Sequence, residues 1–309
     1  MEASGPVAPT IARSVAVTGA SGRLGSALVA AMSAVGWDVH PWSRPAYDLD
    51  DPTAAARCLA GDQPELVIHC AAWTDVNGCA RDPELALRRN ATAVGELGDA
   101  CVERGISLVV VSTNEVFDGR RTDDRGYRAD DPPSPGNAYG ASKLAGEEAA
   151  RTAFARRGPV EARKGGNLWI VRTAWLYGPP GNDFPTKILA AADRLAGGAP
   201  LPVVADEVGS PTYAPDLAAA MLSLLQVAEP GTYHLANAGR ASRADWARAV
   251  LQGCRRAVGV EPIRQVDFAR PSHAPAWAVL DASAAADLGV GLRGWEAALA
   301  DYLVELCPA

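Results

Sequence analysis

Ser14-Val15-Ala16-Val17-Thr18-Gly19-Ala20-Ser21-Gly22-Arg23-Leu24-Gly25 is the stretch on which the fold turns. A β-branched run leads straight into glycines spaced Gly-x-x-Gly-x-x-Gly, and a helix-like segment follows from Arg23 to Val35. A glycine turn between a strand and a helix lets a pyrophosphate approach the helix N-terminus, where free backbone N–H groups favour an anion. Gly19, Ser21, Gly22, Arg23, Leu24 and Gly25 are therefore expected dinucleotide contacts.

Outward from that turn, strand-like and helix-like runs alternate. Trp37 to Trp42, Leu66 to His69, Ser107 to Ser112 and Leu168 to Thr173 read as strands, and Ala86 to Arg104 as a helix. Pro41 is awkward in the first of these strands, because an interior strand would lose a ladder hydrogen bond there. Such alternation predicts a parallel sheet covered on both faces. The expected class is α/β, a Rossmann-type doubly wound parallel sheet with a smaller, irregular C-terminal substrate lobe. Asp118 to Ala138 and Arg156 to Asn167 read as loops. After Gly178 the alternation weakens, and Gly231 to Asn237 is a candidate to return one strand to the sheet. The implied division is a dinucleotide-binding domain over 13–176, with a return at 212–237, and a substrate lobe over 177–211 and 238–309.

Composition narrows the class. A net charge of −7 over 309 residues argues against a general nucleic-acid binder. No apolar run is long enough to cross a bilayer. Met1 to Ala12 lacks the features of a secretion signal and reads as a loose tail. Cys58, Cys70, Cys79, Cys101, Cys254 and Cys307 show no CxxC pairing or metal-like spacing, which predicts reduced thiols in a cytoplasmic protein and no metal site.

Several short motifs carry chemistry. Tyr139-Gly140-Ala141-Ser142-Lys143 places a phenol and an ammonium one helical turn apart on one face. A nearby ammonium stabilises the phenolate and draws the tyrosine pKa down from about 10, making the hydroxyl a usable proton donor. Ser112-Thr113-Asn114 ends the fourth strand, where hydroxyls face the ligand crevice of a parallel sheet. After strand two, Ser43-Arg44 suits a ribose 2′-phosphate, with help from Arg23. Asp38 sits at the wrong end of that strand to select NAD. The expectation is NADPH, with NADH as the alternative. Asp48-Leu49 is placed for an adenine edge, and Cys70-Ala71-Ala72 offers small residues where backbone passes the dinucleotide.

Taken together, these motifs resemble the extended short-chain dehydrogenase/reductases, and among them the dTDP-4-dehydrorhamnose reductase family. The resemblance runs from about Val15 to Tyr302. Its glycine turn matches Gly19, Gly22 and Gly25, and its strand-four signature appears as Ser112 to Gly119. Its tyrosine-lysine helix is Tyr139 to Glu147, its Arg-Thr-x-Trp-x-Tyr-Gly stretch is Arg172 to Gly178, and Asp206 to Thr212 is similar to its Asp-Gln-x-Gly-x-Pro-Thr. The resemblance implies a catalytic set of Thr113, Tyr139 and Lys143. Tyr139 would give a proton to the sugar C4 ketone, Lys143 would bind the nicotinamide ribose, and Thr113 would orient the carbonyl. Thr113, Asn114, Glu115, Trp175, Asn182 and Phe184 would meet a nucleotide sugar, dTDP-linked in the family. Lys187 and Arg194 are candidates to neutralise a diphosphate.

Three departures mark this chain. Asn114 stands for the family's aspartate, Glu115 for its tyrosine and Glu207 for its glutamine. They alter the charge and donor pattern around the sugar, while the hydride-transfer residues are retained. Two alternatives stay open. One is another nucleotide-sugar reductase or epimerase. The other is a non-catalytic NADP-binding regulatory subunit, similar to the methionine adenosyltransferase beta subunit. The partner expected is a nucleotide sugar, with no nucleic acid and no membrane, and a homodimer is left open.

Overall fold

The computed structural model describes residues 14–158, 165–195 and 199–308. The expected N-terminal tail and the middle of the Arg156–Asn167 loop lie outside them.

β1 (Ser14–Thr18) feeds α1 (Arg23–Ala34), then come β2 (Asp38–Trp42), α2 (Ala54–Asp62) and β3 (Leu66–His69). α3 (Val76–Arg81), α4 (Pro83–Leu87) and α5 (Ala93–Arg104) precede β4 (Ser107–Thr113), and α6 (Ala138–Ala155) precedes β5 (Leu168–Thr173). The strand Gly231–His234 pairs parallel with β5 and closes a six-stranded sheet of order Gly231–His234, β5, β4, β3, β1, β2. All five pairings are parallel. The strands β1, β3 and β4 are nearly fully buried because helices cover both faces. One face carries α1 and the helix Ala214–Val227, packed through Leu24, Leu28, Leu217 and Met221. The other carries α2, α5 and α6, packed through Leu59, Leu97, Cys101 and Phe154. This is the doubly wound α/β fold.

Pro41 is accommodated because β2 is the edge strand, hydrogen-bonded to β1 alone, so no second neighbour needs its missing N–H. The strand order reverses between β1 and β3. A crevice opens at the carboxyl ends of strands at such a switch point, and ligands bind there.

The segment read as one helix from Ala86 to Arg104 is interrupted by a π-helical turn, Arg88–Thr92. That extra residue per turn points Asn90 inward. Its Oδ1 accepts from Trp73 N at 2.8 Å, and its Nδ2 donates to Trp73 O and to Ser142 Oγ, both at 3.0 Å. Asn90 thereby ties the loop after β3 to α6.

A third core lies in the C-terminal part, where the helices Phe184–Ala192, Arg243–Gly253 and Trp295–Leu306 pack around Tyr177, Trp246 and Tyr302. Here one expectation is corrected. Cys254 and Cys307, read as free thiols, form a disulfide, because each follows the end of one of two packed helices and the fold brings their Cα atoms to 5.5 Å. Cys58, Cys70, Cys79 and Cys101 are free. Among the described residues, no helix is long and apolar enough to cross a membrane, and no group of three or more His, Cys, Asp or Glu is placed to hold a metal.

Candidate active site

One cavity of about 740 Å³ opens at the switch point. Its first part is the glycine turn. Gly19 has φ of +64°, and a Cβ there would stand 2.9 Å from the Ala71 backbone, so only glycine lets the β1 and β3 loops approach each other. A Cβ at Gly25 would collide with the Gly19 carbonyl. Ser21 and Gly22 are exposed to the cavity, and Ser21 N donates to Ser43 Oγ at 3.1 Å, which locks the turn to the end of β2. The Thr18 hydroxyl bonds His69 Nδ1 at 2.9 Å and accepts from Ala71 N at 3.1 Å, which fixes Cys70-Ala71-Ala72 along the cavity wall. This cradle of small residues, opening onto the N-terminus of α1, fits a dinucleotide pyrophosphate.

Arg44 is exposed at the rim with Asp48 and Leu49 beside it, and its guanidinium makes no hydrogen bond to any described residue. Arg23 lines the cavity and also has partners that the sequence did not show. Its guanidinium donates to the carbonyls of Gly178 (3.2 Å), Gly181 (2.8 Å) and Asn182 (3.3 Å). It bridges the glycine turn to the 178–182 loop, while Arg44 stays exposed at the rim. Asp38 is outside the cavity, its carboxylate 3.5 Å from His40. Arg89 also lines the wall, held by two bonds to Asp50 (2.8 and 2.6 Å). The sequence reading missed it, because only the π-helical turn directs it inward.

Thr113, Tyr139 and Lys143 line the same cavity. The Asn137 side chain starts α6 by accepting from Gly140 N at 2.8 Å, which places Tyr139 and Lys143 in the first turns beside the end of β4. The Lys143 ammonium is held by the backbone of β4. It donates to the Val111 carbonyl at 2.8 Å, and burial lowers its pKa to about 8. Tyr139 is not acidified as expected. Burial first, then the Glu115 carboxylate, push its pKa upward, while the Thr113 hydroxyl pulls the other way. Behind Lys143, Glu147 is buried and gripped by Arg172 through bonds of 2.8 and 2.7 Å, which hold its carboxyl below the ordinary range against burial.

The far part of the cavity is formed by Asn114, Glu115, Trp175, Asn182 and Phe184. Asn114 turns its amide to the Ala278 carbonyl at 3.1 Å and accepts from the Thr113 hydroxyl at 3.2 Å, so it supports the strand end. Trp246 stacks between Trp175 (5.8 Å between centroids) and Phe184 (4.5 Å). Arg243 lies 3.5 Å over the Trp175 ring. Lys187 lines this end but Arg194 does not. Trp246 and Arg243 also escaped the sequence reading. Ser242 three residues before Asp245 marks a helix start, yet nothing local shows which side chains face the cavity.

Glu207, one of the departures, is almost fully buried and well partnered. It pairs with Arg270, accepts from Gln265 Nε2 at 2.8 Å and faces Arg243 Nε at 3.7 Å. Arginines on two other elements supply the charge that a carboxylate at this position needs.

Residues 13–307 match the family model described as the RmlD substrate binding domain. A dTDP-4-dehydrorhamnose reductase of Mycolicibacterium smegmatis is 38% identical over 97% of this chain and 88% of its own length. One of Mycobacterium tuberculosis is 39% identical over 93% of this chain and 91% of its own. Among solved structures, a dTDP-4-dehydrorhamnose reductase of Bacillus anthracis in complex with NADP superposes with a TM-score of 0.84 at 30% identity, covering 94% of this chain and 98% of that one.

Proposed function

The chain belongs to the RmlD substrate binding domain family, and from that membership we propose that it reduces the C4 ketone of a nucleotide-linked 4-keto-6-deoxyhexose with NADPH, as a dTDP-4-dehydrorhamnose reductase does. The observation that carries this reading is the convergence of the glycine cradle, Arg44, and the Thr113–Tyr139–Lys143 set on one cavity.

NADPH, when bound, supplies the hydride. The glycine turn and the N-terminus of α1 hold its pyrophosphate, and Arg44 reads its 2′-phosphate. Lys143, anchored by one donor on Val111, has two further N–H donors for the ribose. Tyr139 stays a neutral phenol through the physiological range, which a proton donor requires. It gives its proton to the C4 oxygen, because an alkoxide is a far stronger base than even a phenolate whose acid has been weakened. Thr113 orients the carbonyl against that phenol, and Trp175 covers the sugar face.

In this reading, 13–176 with the return at 212–237 handles the dinucleotide, and 177–211 with 238–309 handles the sugar nucleotide. The reading also puts the protein in the cytoplasm, so the Cys254–Cys307 bond would form against a reducing poise.

The test is NADPH oxidation, followed by absorbance, with dTDP-4-keto-L-rhamnose generated in situ and a control lacking the sugar. Substrate-dependent oxidation yielding a dTDP-6-deoxyhexose is the expected result. NADPH binding without turnover on any keto-sugar would sink the reading in favour of a regulatory subunit.

A further inference from the structure

Two charged side chains at the sugar end have hydrogen-bonding capacity that the fold does not use. Arg243 is the first. Its guanidinium is stacked 3.5 Å over Trp175, with side-chain exposure of 23%, and its nearest ion pair is the 3.7 Å contact with Glu207. Within hydrogen-bond distance, its side chain donates to no described residue. Glu207 is already shared with Arg270 and Gln265. A largely desolvated guanidinium whose nearest carboxylate stands 3.7 Å away and is shared with two other side chains keeps donors that a ligand can complete.

Glu115 is the second. One of its carboxylate oxygens accepts from Asn137 Nδ2 at 2.7 Å, and the other accepts from no described residue. Asn137 is also the cap of α6, so one amide fixes Glu115 in register with Tyr139, which follows two residues later. The packing is equally tight in the main chain, because a Cβ at Gly140 would collide with the Glu115 carbonyl. Arg243, Glu115 and Tyr139 all face the one cavity. The charged groups around the pair are Glu207 and Arg270, which compensate each other.

We propose that Arg243 and Glu115 form a donor–acceptor pair that reads the sugar hydroxyl on the carbon next to the ketone, so that the substrate is a C3-hydroxylated 4-keto sugar and not a 3-deoxy one. This assignment rests on the reductase reading. A hydroxyl both donates and accepts, and a carboxylate beside a guanidinium satisfies both halves. A site built this way rejects the analogue lacking the hydroxyl, because its polar groups are then left without partners.

The test is calorimetric titration of the full chain, saturated with NADP+, with a dTDP-6-deoxyhexose and with its 3-deoxy counterpart. The expected result is wild-type preference for the hydroxylated ligand by about 10²-fold or more. Arg243→Met and Glu115→Ala should each shrink that ratio to within about tenfold. Should Arg243→Met fail to melt cooperatively, Glu115→Gln carries the test, because its amide oxygen can still accept from Asn137. Equal wild-type affinity for the two ligands, or an undiminished ratio in the variants, would overturn the pair. A purely structural role for Arg243 would weaken both ligands alike and leave the ratio unchanged. Discrimination without NADPH oxidation would keep this assignment and sink the reductase reading, and reduction without discrimination would do the reverse.

Discussion

Lys143 Nζ donates to the Val111 carbonyl at 2.8 Å, which binds the lysine of α6 to the backbone of β4. The ammonium is thereby positioned by the sheet, two residues before Thr113 on the same strand. Its distance from the reacting centre is set by β4 and not by the spacing to Tyr139 alone.

Tyr139→Phe should therefore remove a proton donor without disturbing the cofactor cradle. Turnover should fall by roughly 10²-fold or more while NADPH affinity stays within about twofold of wild type. Fluorescence titration and steady-state rates separate the two, and near-normal turnover would defeat the assignment of Tyr139. Because the pKa of Lys143 is lowered to about 8, NADPH affinity should weaken as pH rises through that value and the ribose loses its cationic donor.

Arg44 and Arg23 should respond oppositely to a choice of cofactor. Arg44→Ala should weaken NADPH far more than NADH, since only the former carries the 2′-phosphate. Arg23→Ala should weaken both by similar factors, because it removes three bonds that hold the 178–182 loop against the glycine turn. Dissociation constants for both cofactors in both variants decide this. Equal losses in Arg44→Ala would sink its role at the 2′-phosphate.

Acid should destabilise the fold through two buried histidines. Burial lowers His69 to about 3 and His234 to about 4, from 6.5 in the unfolded chain. Between about pH 6.5 and 4 the unfolded chain holds more protons than the native one, so stability rises with pH across that window and is lost on acidification. His234→Gln keeps a donor for the Tyr127 carbonyl and removes one titration, so its melting temperature should fall less steeply over the same range. A slope identical to wild type would exclude His234 as a source.

Reduction should loosen the C-terminal lobe. The Cys254–Cys307 bond spans 53 residues, for which the chain-entropy account gives about 4 kcal/mol, within a usual range of about 2–5 kcal/mol. Wild type should melt at a lower temperature with dithiothreitol than without. Cys307→Ser should melt low in both conditions, and a response to reductant in that variant would point to another cysteine.

Local order along the chain determined much of this protein. The strand, glycine turn and helix from Ser14 to Val35 already declare the fold, because turn sterics and hydrophobic periodicity act between near neighbours. Tyr139 and Lys143 share a face for the same reason. What lies across the sheet was decided only by tertiary structure. Pro41 became harmless once β2 proved to be an edge, and Arg23 is bonded to carbonyls more than 150 residues away. The direction of the Tyr139 pKa depended on burial and on Glu115, neither of which one turn of helix reveals. Arg89 needed a π-helical turn, and Arg243 needed Trp175 beneath it, to reach the cavity. Backbone geometry is a local property and can be read from spacing. Desolvation and long-range charge depend on which distant elements the folded chain brings together.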